Sequence, residues 1–335
     1  MTALRHRPLE LKLRHPFRLS RGTWDVRHNV LVEVEQDGQT GMGEAAPIPR
    51  YGETHESAAR AIEEMAGRLA DPTAFSDAAS RAAVAGQRSA EAAVDMALHD
   101  LAGRRLGAPL FALLGLDPAR MPVTSFTIAI DTPEGAASKA RAASQYAVLK
   151  LKMGSEADRE MVAAVREATD RPIRVDANEG WTFETAVERL EWLAGLGVEF
   201  VEQPLPAAAL EETRALRRRS PLPFYADESV HTARDIPSLV GAFDGINIKL
   251  MKCGGIAEAL RMIAVARAHG LKVMLGCMIE SSLGVTAAAH LAPLADAADL
   301  DGNLLVDNDP FVGVRVKDGR LVLPEGPGLG VSRRA

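Results

Sequence analysis

AVLKLK (147–152), IRVD (173–176), VEFVE (198–202), FYAD (224–227) and INIK (246–249) are five short apolar runs that each end on a charged residue. The end residues are Lys152, Asp176, Glu202, Asp227 and Lys249, at intervals of 24, 26, 25 and 22 residues. A helix-like stretch follows each run. One strand, one helix and two loops take about 25 residues, so this is the period of a repeating βα unit. In a βα barrel the strand ends converge on one rim, and the rim carries the chemistry. The spacing therefore places two lysines and three carboxylates around one mouth.

The pattern extends in both directions from this stretch. Upstream, PVTSFTIAI (122–130) reads as the first barrel strand, and Thr132-Pro133 as a helix cap with proline in the first turn. Ser155 and Thr182 are expected to cap the next helices, and Gly195, Gly197 and Gly270 to stop helices. Downstream, KVMLGCM (272–278) and ADLDG (298–302) read as strands seven and eight. Eight strands separated by seven helices make a (β/α)7β TIM-like barrel of the α/β class, its last helix missing. Residues 1–115 read as an α+β N-terminal capping domain, 116–310 as the barrel and 311–335 as a tail. Within the capping domain, strands are expected near Leu9–Phe17 and Val30–Glu35, with a hairpin turn at Asp37-Gly38. The Gly/Pro-rich GMGEAAPIPRYGET (41–54) follows, then helices over Glu56–Leu69, Ala74–Ala85 and Ser89–Leu101. The alternating RVKDGRLVL (315–323) is expected to return to the capping domain.

A chain of 335 residues with 47% apolar composition supports one large domain and a smaller one. The net charge of −6, with both signs interspersed, argues against a nucleic-acid partner. Arg217–Arg219 reads as a solvated helix end. Cys253 and Cys277 form no metal or redox spacing, which suits a reducing compartment. No apolar signal core and no run of about 20 apolar residues is present. The expectation is a cytoplasmic protein with no membrane partner, working as a homo-oligomer.

Lys150 and Lys152 lie two apart in a strand and share a face. Adjacent ammonium groups lower each other's pKa, which suits one of them to serve as a base near neutral pH. Surface lysines, or a lysine paired to a core carboxylate, would show the same K-L-K text. Three carboxylates at one rim repel unless a cation binds, although acids at strand ends also cap helices. With no His or Cys among them, Asp176, Glu202 and Asp227 favour Mg²⁺, with Mn²⁺ as competitor, over Zn²⁺. Barrel strands two and six are four apart in eight, so Lys152 and Lys249 face each other across the mouth. Opposed bases suit a racemase or epimerase, one removing an α-proton and the other returning it to the opposite face. A metal would stabilise the enolate between them.

KLKMG (150–154), VDANEGW (175–181), VEQPL (201–205), ADES (226–229) and INIKLMKCGG (246–255) together resemble the enolase superfamily, within it the muconate-lactonizing-enzyme-like subgroup. Lysine bases beside Mg²⁺ are the known arrangement of such sites. The resemblance covers essentially the whole chain. It implies that Lys152 and Lys249 are the two bases, that Lys150 tunes Lys152, and that Asp176, Glu202 and Asp227 hold Mg²⁺. Lys252 receives no catalytic role. ADLDG, SRGTWDV (20–26) and GEAAPIPRYGET (43–54) further resemble dipeptide epimerases, most closely those acting on L-Ala-D/L-Glu in peptidoglycan peptide metabolism.

Strand eight lies opposite strand four, hence opposite the metal, so Asp299 and Asp301 would receive the α-ammonium of a dipeptide substrate. Arg21 is a candidate for a substrate side-chain carboxylate, with Trp24 and Tyr51 as walls of the same pocket. Glu280 is placed near Lys249, Asn178 near the metal, and no histidine base is expected. The alternatives are an N-acylamino acid racemase, o-succinylbenzoate synthase or cycloisomerase of the same subgroup, whose substrates carry no ammonium for Asp299 and Asp301. A lysine Schiff-base lyase is the alternative from a different class.

Overall fold

The computed structural model describes residues 3–19, 22–69, 79 and 82–335. The chain opens with a three-stranded antiparallel sheet of β1 (Ala3–Leu19), β2 (Gly22–Gln36) and β3 (Gln39–Ala45). Asp37 and Gly38 both have positive φ, 53° and 78°, as the tight β2–β3 hairpin requires. Strand alternation divides β2 between two cores. Val30, Val32 and Val34 pack with helices α1 (His55–Arg68) and α2 (Arg88–Leu106), while Leu31 joins the cluster that fills the barrel. Helix α2 is sandwiched between β3 and the barrel and is buried on nearly all sides. Its approach to β3 needs two glycines. A Cβ at Gly43 would stand 1.9 Å from the Ala93 carbonyl, and one at Gly41 2.0 Å from that of Ala97. The expected helix over Ala74–Ala85 falls largely outside the described residues.

Eight parallel strands follow in strict chain order: β4 (Ser125–Ile128), β5 (Val148–Lys152), β6 (Ile173–Asp176), β7 (Val198–Glu202), β8 (Phe224–Ala226), β9 (Gly245–Lys249), β10 (Lys272–Gly276) and β11 (Ala297–Asp299). A parallel bridge between Thr124 and Ala298 brings the last strand to the first, so the sheet closes into a barrel. Helices α3 (Pro133–Ala142), α4 (Asp158–Ala168), α5 (Phe183–Gly195), α6 (Leu210–Arg217), α7 (Ile236–Leu239), α8 (Ile256–Ala268) and α9 (Ser282–Ala289) fill the seven intervals. The expected (β/α)7β barrel with an antiparallel N-terminal sheet is the observed fold. Thr132 and Thr182 cap α3 and α5 as expected, the latter through a reciprocal capping box. Ser155 does not cap α4. Its hydroxyl donates to Asp158 at 3.0 Å instead, and that carboxylate also takes the Gly154 and Ser155 N–H groups, an ionised oxygen being the strong acceptor here.

The tail divides. The hairpin β12–β13 (Arg315–Lys317 and Arg320–Val322) stays on the barrel, where Thr124 N–H donates to the Gly319 carbonyl. The residues after it reach the capping domain: Leu329 N donates to Asp100 on α2, and Arg333 pairs with Glu33 on β2. A second seam joins the domains at the buried Glu44 on β3. Its carboxylate accepts the Ser281 N–H at 3.0 Å and the Gly284 N–H at 3.2 Å, clamping the N-terminus of α9. Among the described residues, no helix is long and apolar enough to cross a membrane.

Candidate active site

Strand register aligns the charged residues. Lys152, Asp176 and Glu202 are successive partners on β5, β6 and β7, and Lys249, Gly276 and Asp299 on β9, β10 and β11. All stand at the C-terminal ends of their strands. The capping domain covers this rim and leaves a cavity of about 290 Å³. Lys152, Asp227, Lys249, Asp299 and Asp301 line it from the barrel; Trp24, Arg27 and Tyr51 line it from the capping domain. A larger groove of about 1140 Å³ alongside shares Phe17, Thr127 and Leu305 with it but does not contain the acids and lysines of the rim.

Asp176, Glu202 and Asp227 are buried and bring one oxygen each within 4.8 Å of one another. Three hard oxygen donors with no nitrogen or sulfur fit Mg²⁺ or Mn²⁺. Four buried lysines surround them. Lys150 Nζ lies 2.6 Å from Asp299, 2.6 Å from Glu202 and 3.2 Å from Asp176. Lys152 bonds Asp176 at 2.6 Å, and Lys249 bonds Asp227 at 2.7 Å. Lys252 donates to the other Asp227 oxygen at 2.5 Å and to the carbonyls of Asp227, Val230 and Asn247.

Burial alone would raise Asp176, but Lys152 and Lys150 outweigh it and hold the group at about 2. Asp227 lies well below the usual range for the same reason, with Lys249 and Lys252 overcoming burial. Glu202 is pushed up to about 7 by burial and by the charge of Asp176. Lys150 departs from expectation. Burial favours neutral Lys150, yet Asp299, Glu202 and Asp176 raise its pKa well above that of a free lysine. Lys249 is likewise raised, by Asp227 and Glu202 against burial. Repulsion within K-L-K is the smaller effect, because neighbouring strands supply more carboxylates than the strand's own second lysine can offset.

Asp299 and Asp301 share a face but not an environment. Asp299 accepts Lys150 and the Ser125 hydroxyl, both at 2.6 Å. Asp301 accepts from Thr127, whose N–H lies at 2.6 Å, and is pushed up to about 7 by burial and by Asp299. Tyr51 meets His231 edge-to-face at 5.0 Å, and Trp24 carries the Arg27 guanidinium 5.7 Å from its ring. Arg21 lies outside the described residues. Glu280 turns its carboxylate to the Met278 N–H at 2.7 Å rather than bonding Lys249, and burial pushes it up to about 8. The Asn178 backbone N–H donates to Asp176 at 2.9 Å.

Four further residues belong to the site. Asn247 donates to Glu202 at 2.7 Å, and its place in INIK, two before Lys249, was the available signal. Gly276 makes its room, since a Cβ there would stand 2.5 Å from the Asn247 amide. Gln203 accepts the Asp227 and Ser229 N–H groups from a left-handed backbone, φ 37°, and so orients the β8 loop. Arg27 has no sequence signal of its own.

Residues 134–334 match the model of the enolase C-terminal domain-like family, and residues 2–115 that of the mandelate racemase / muconate lactonizing enzyme N-terminal domain. The L-Ala-D/L-Glu epimerase of Bacteroides thetaiotaomicron is 43% identical, covering 97% of this chain and 86% of that protein. The L-Ala-D/L-amino acid epimerase of Pedosphaera parvula is also 43% identical, covering 98% of each. Among solved structures, a dipeptide epimerase from Cytophaga hutchinsonii complexed with Mg and D-Ala-L-Val superposes with a TM-score of 0.94 at 30% identity. The match covers 99% of this chain and 95% of that one.

Proposed function

The chain belongs to the mandelate racemase / muconate lactonizing enzyme family, and from that premise we propose that it is a Mg²⁺-dependent dipeptide epimerase. It inverts the α-carbon of the C-terminal residue, with L-Ala-D/L-Glu as the leading substrate. The observation that carries this is the arrangement of Lys152 and Lys249 on strands four apart, with the three acids between them and Asp299 and Asp301 across the mouth. A divalent cation held by Asp176, Glu202 and Asp227 would bind the substrate's terminal carboxylate and offset the charge that grows as the α-proton leaves.

Lys152 and Lys249 remove and return that proton from opposite faces of the α-carbon. Lys150 touches Asp176, Glu202 and Asp299 at once, so it holds the acid cluster together and sets the field at Lys152. Lys252 and Gln203 fix Asp227. Asp301, less committed than Asp299, receives the substrate's ammonium, and Trp24 and Tyr51 wall the pocket. The proposed setting is the cytoplasm, as a homo-oligomer acting on peptides of peptidoglycan origin.

The test is a screen of free dipeptides and N-acylated amino acids for α-proton exchange in D₂O with Mg²⁺ present. Exchange at the C-terminal residue of free dipeptides is the expected result. Preference for N-acylated amino acids over every dipeptide would replace this function with that of an N-acylamino acid racemase.

A further inference from the structure

Resting on the epimerase function proposed above, we propose that Arg27 selects dipeptides whose C-terminal residue carries an acidic side chain. Arg27 and Asn29 are two apart on β2 and share a face. Asn29 donates to the Ile279 carbonyl at 3.1 Å, just past the end of β10, so that face looks onto the barrel mouth. Arg27 lines the cavity there beside Trp24 and Ile48.

Among the described residues four cations line this cavity, and three are matched. Lys152 holds Asp176, Lys249 holds Asp227, and Arg50 holds Glu179 through three contacts of 2.8–3.1 Å. Arg27 donates once, to the Pro47 carbonyl at 2.9 Å, and packs over Trp24; among the described residues no carboxylate pairs with it. It is half-buried, and burial lowers the pKa of its guanidinium. A desolvated guanidinium with unused N–H donors is an unfavourable arrangement until an anion meets it.

The substrate's own geometry supplies the direction. During proton transfer the α-carbon is planar, with the carboxylate toward the acids and the peptide nitrogen toward Asp301. The third in-plane substituent, the side chain, then points at the capping wall, where Arg27 stands. An acidic side chain completes the guanidinium's coordination; a neutral one covers it without pairing it.

The experiment compares kcat/KM of the Mg²⁺-loaded protein for L-Ala-L-Glu and its near-isostere L-Ala-L-Gln. Preference for Glu by about tenfold or more is expected of the natural sequence, since the site leaves a charged donor unmatched by the amide. Arg27→Met is expected to bring the ratio near one, mainly by raising KM for Ala-Glu, and Arg27→Lys to restore part of it. The ratio is insensitive to any loss of folded protein. Retention of the ratio in Arg27→Met overturns the assignment, as does its collapse in Arg21→Met alone. Turnover of neutral dipeptides with no preference for acidic ones overturns it too and leaves the epimerase function standing. No turnover of any dipeptide removes that function and the assignment with it.

Discussion

The barrel floor of the cavity and its capping wall both carry cations, and the floor lysines and the wall's Arg27 are held in opposite ways. On the floor every ammonium is tied to a buried carboxylate; Lys150 alone touches three. On the wall Arg27 meets one carbonyl and a ring face. The floor stands on strand ends whose register is fixed by the hydrophobic alternation of the barrel, so its charges are held to a single geometry. The wall stands on a hairpin and on the loop after β3, which can change residue by residue without disturbing that register. Chemistry on the rigid element and selectivity on the adjustable one follows from this division.

The contrast can be broken from the floor outward. Chelation of divalent metal is expected to abolish epimerisation, with Mg²⁺ or Mn²⁺ restoring it. Full activity in metal-free protein would show that the floor acids are structural only. Asp301→Asn is expected to lower kcat/KM for free dipeptides by roughly 10²-fold, a few kcal/mol at about 1.4 kcal/mol per decade. N-acetylated analogues bring no ammonium and should lose far less.

The same residue sets a pH limb. Asp301 titrates at about 7 in the free protein. Below that pH it is protonated and neutral, so it loses its pull on the ammonium, and kcat/KM should fall as pH drops through about 7. Asp301→Asn should flatten that limb; an unchanged profile would assign it to another group. The smallest effect belongs to the wall's outer edge. The Arg50–Glu179 pair has an arginine 45% exposed, and such pairs are worth under about 1 kcal/mol, so Arg50→Ala should cost less than about fivefold. A loss as large as that of Asp301→Asn would erase the distinction between floor and wall.

The floor was legible in the sequence because one period places one charged residue per strand, and a barrel turns that period into a ring. Lys152, Asp176, Glu202, Asp227 and Lys249 needed only strand alternation and strand count. What escaped depends on contacts between strands. The pKa of Lys150 was misjudged because only its neighbour in K-L-K was visible, whereas Asp299 and Glu202 arrive from β11 and β7. Asn247 shares the rim face of INIK with Lys249, but its role needed its partner Glu202, two strands away. Arg27 was invisible because its importance depends on which face of β2 overhangs Ile279, a matter of domain docking. Ser155 has a capping residue's chemistry, but its hydroxyl donates to the Asp158 carboxylate three residues on instead of accepting from the helix.

The central claim is that two lysines on opposed strands serve opposite faces of one α-carbon. The most direct measurement is NMR of deuterium incorporation from D₂O into each epimer of the dipeptide, with Lys152→Ala and Lys249→Ala and their milder Lys→Arg counterparts. Both alanine variants should lose epimerisation, and any exchange surviving in the arginine variants should be confined to one epimer in each, the two variants favouring opposite epimers. Normal epimerisation by either alanine variant, or survival of exchange in the same epimer for both arginine variants, would contradict the two-base account.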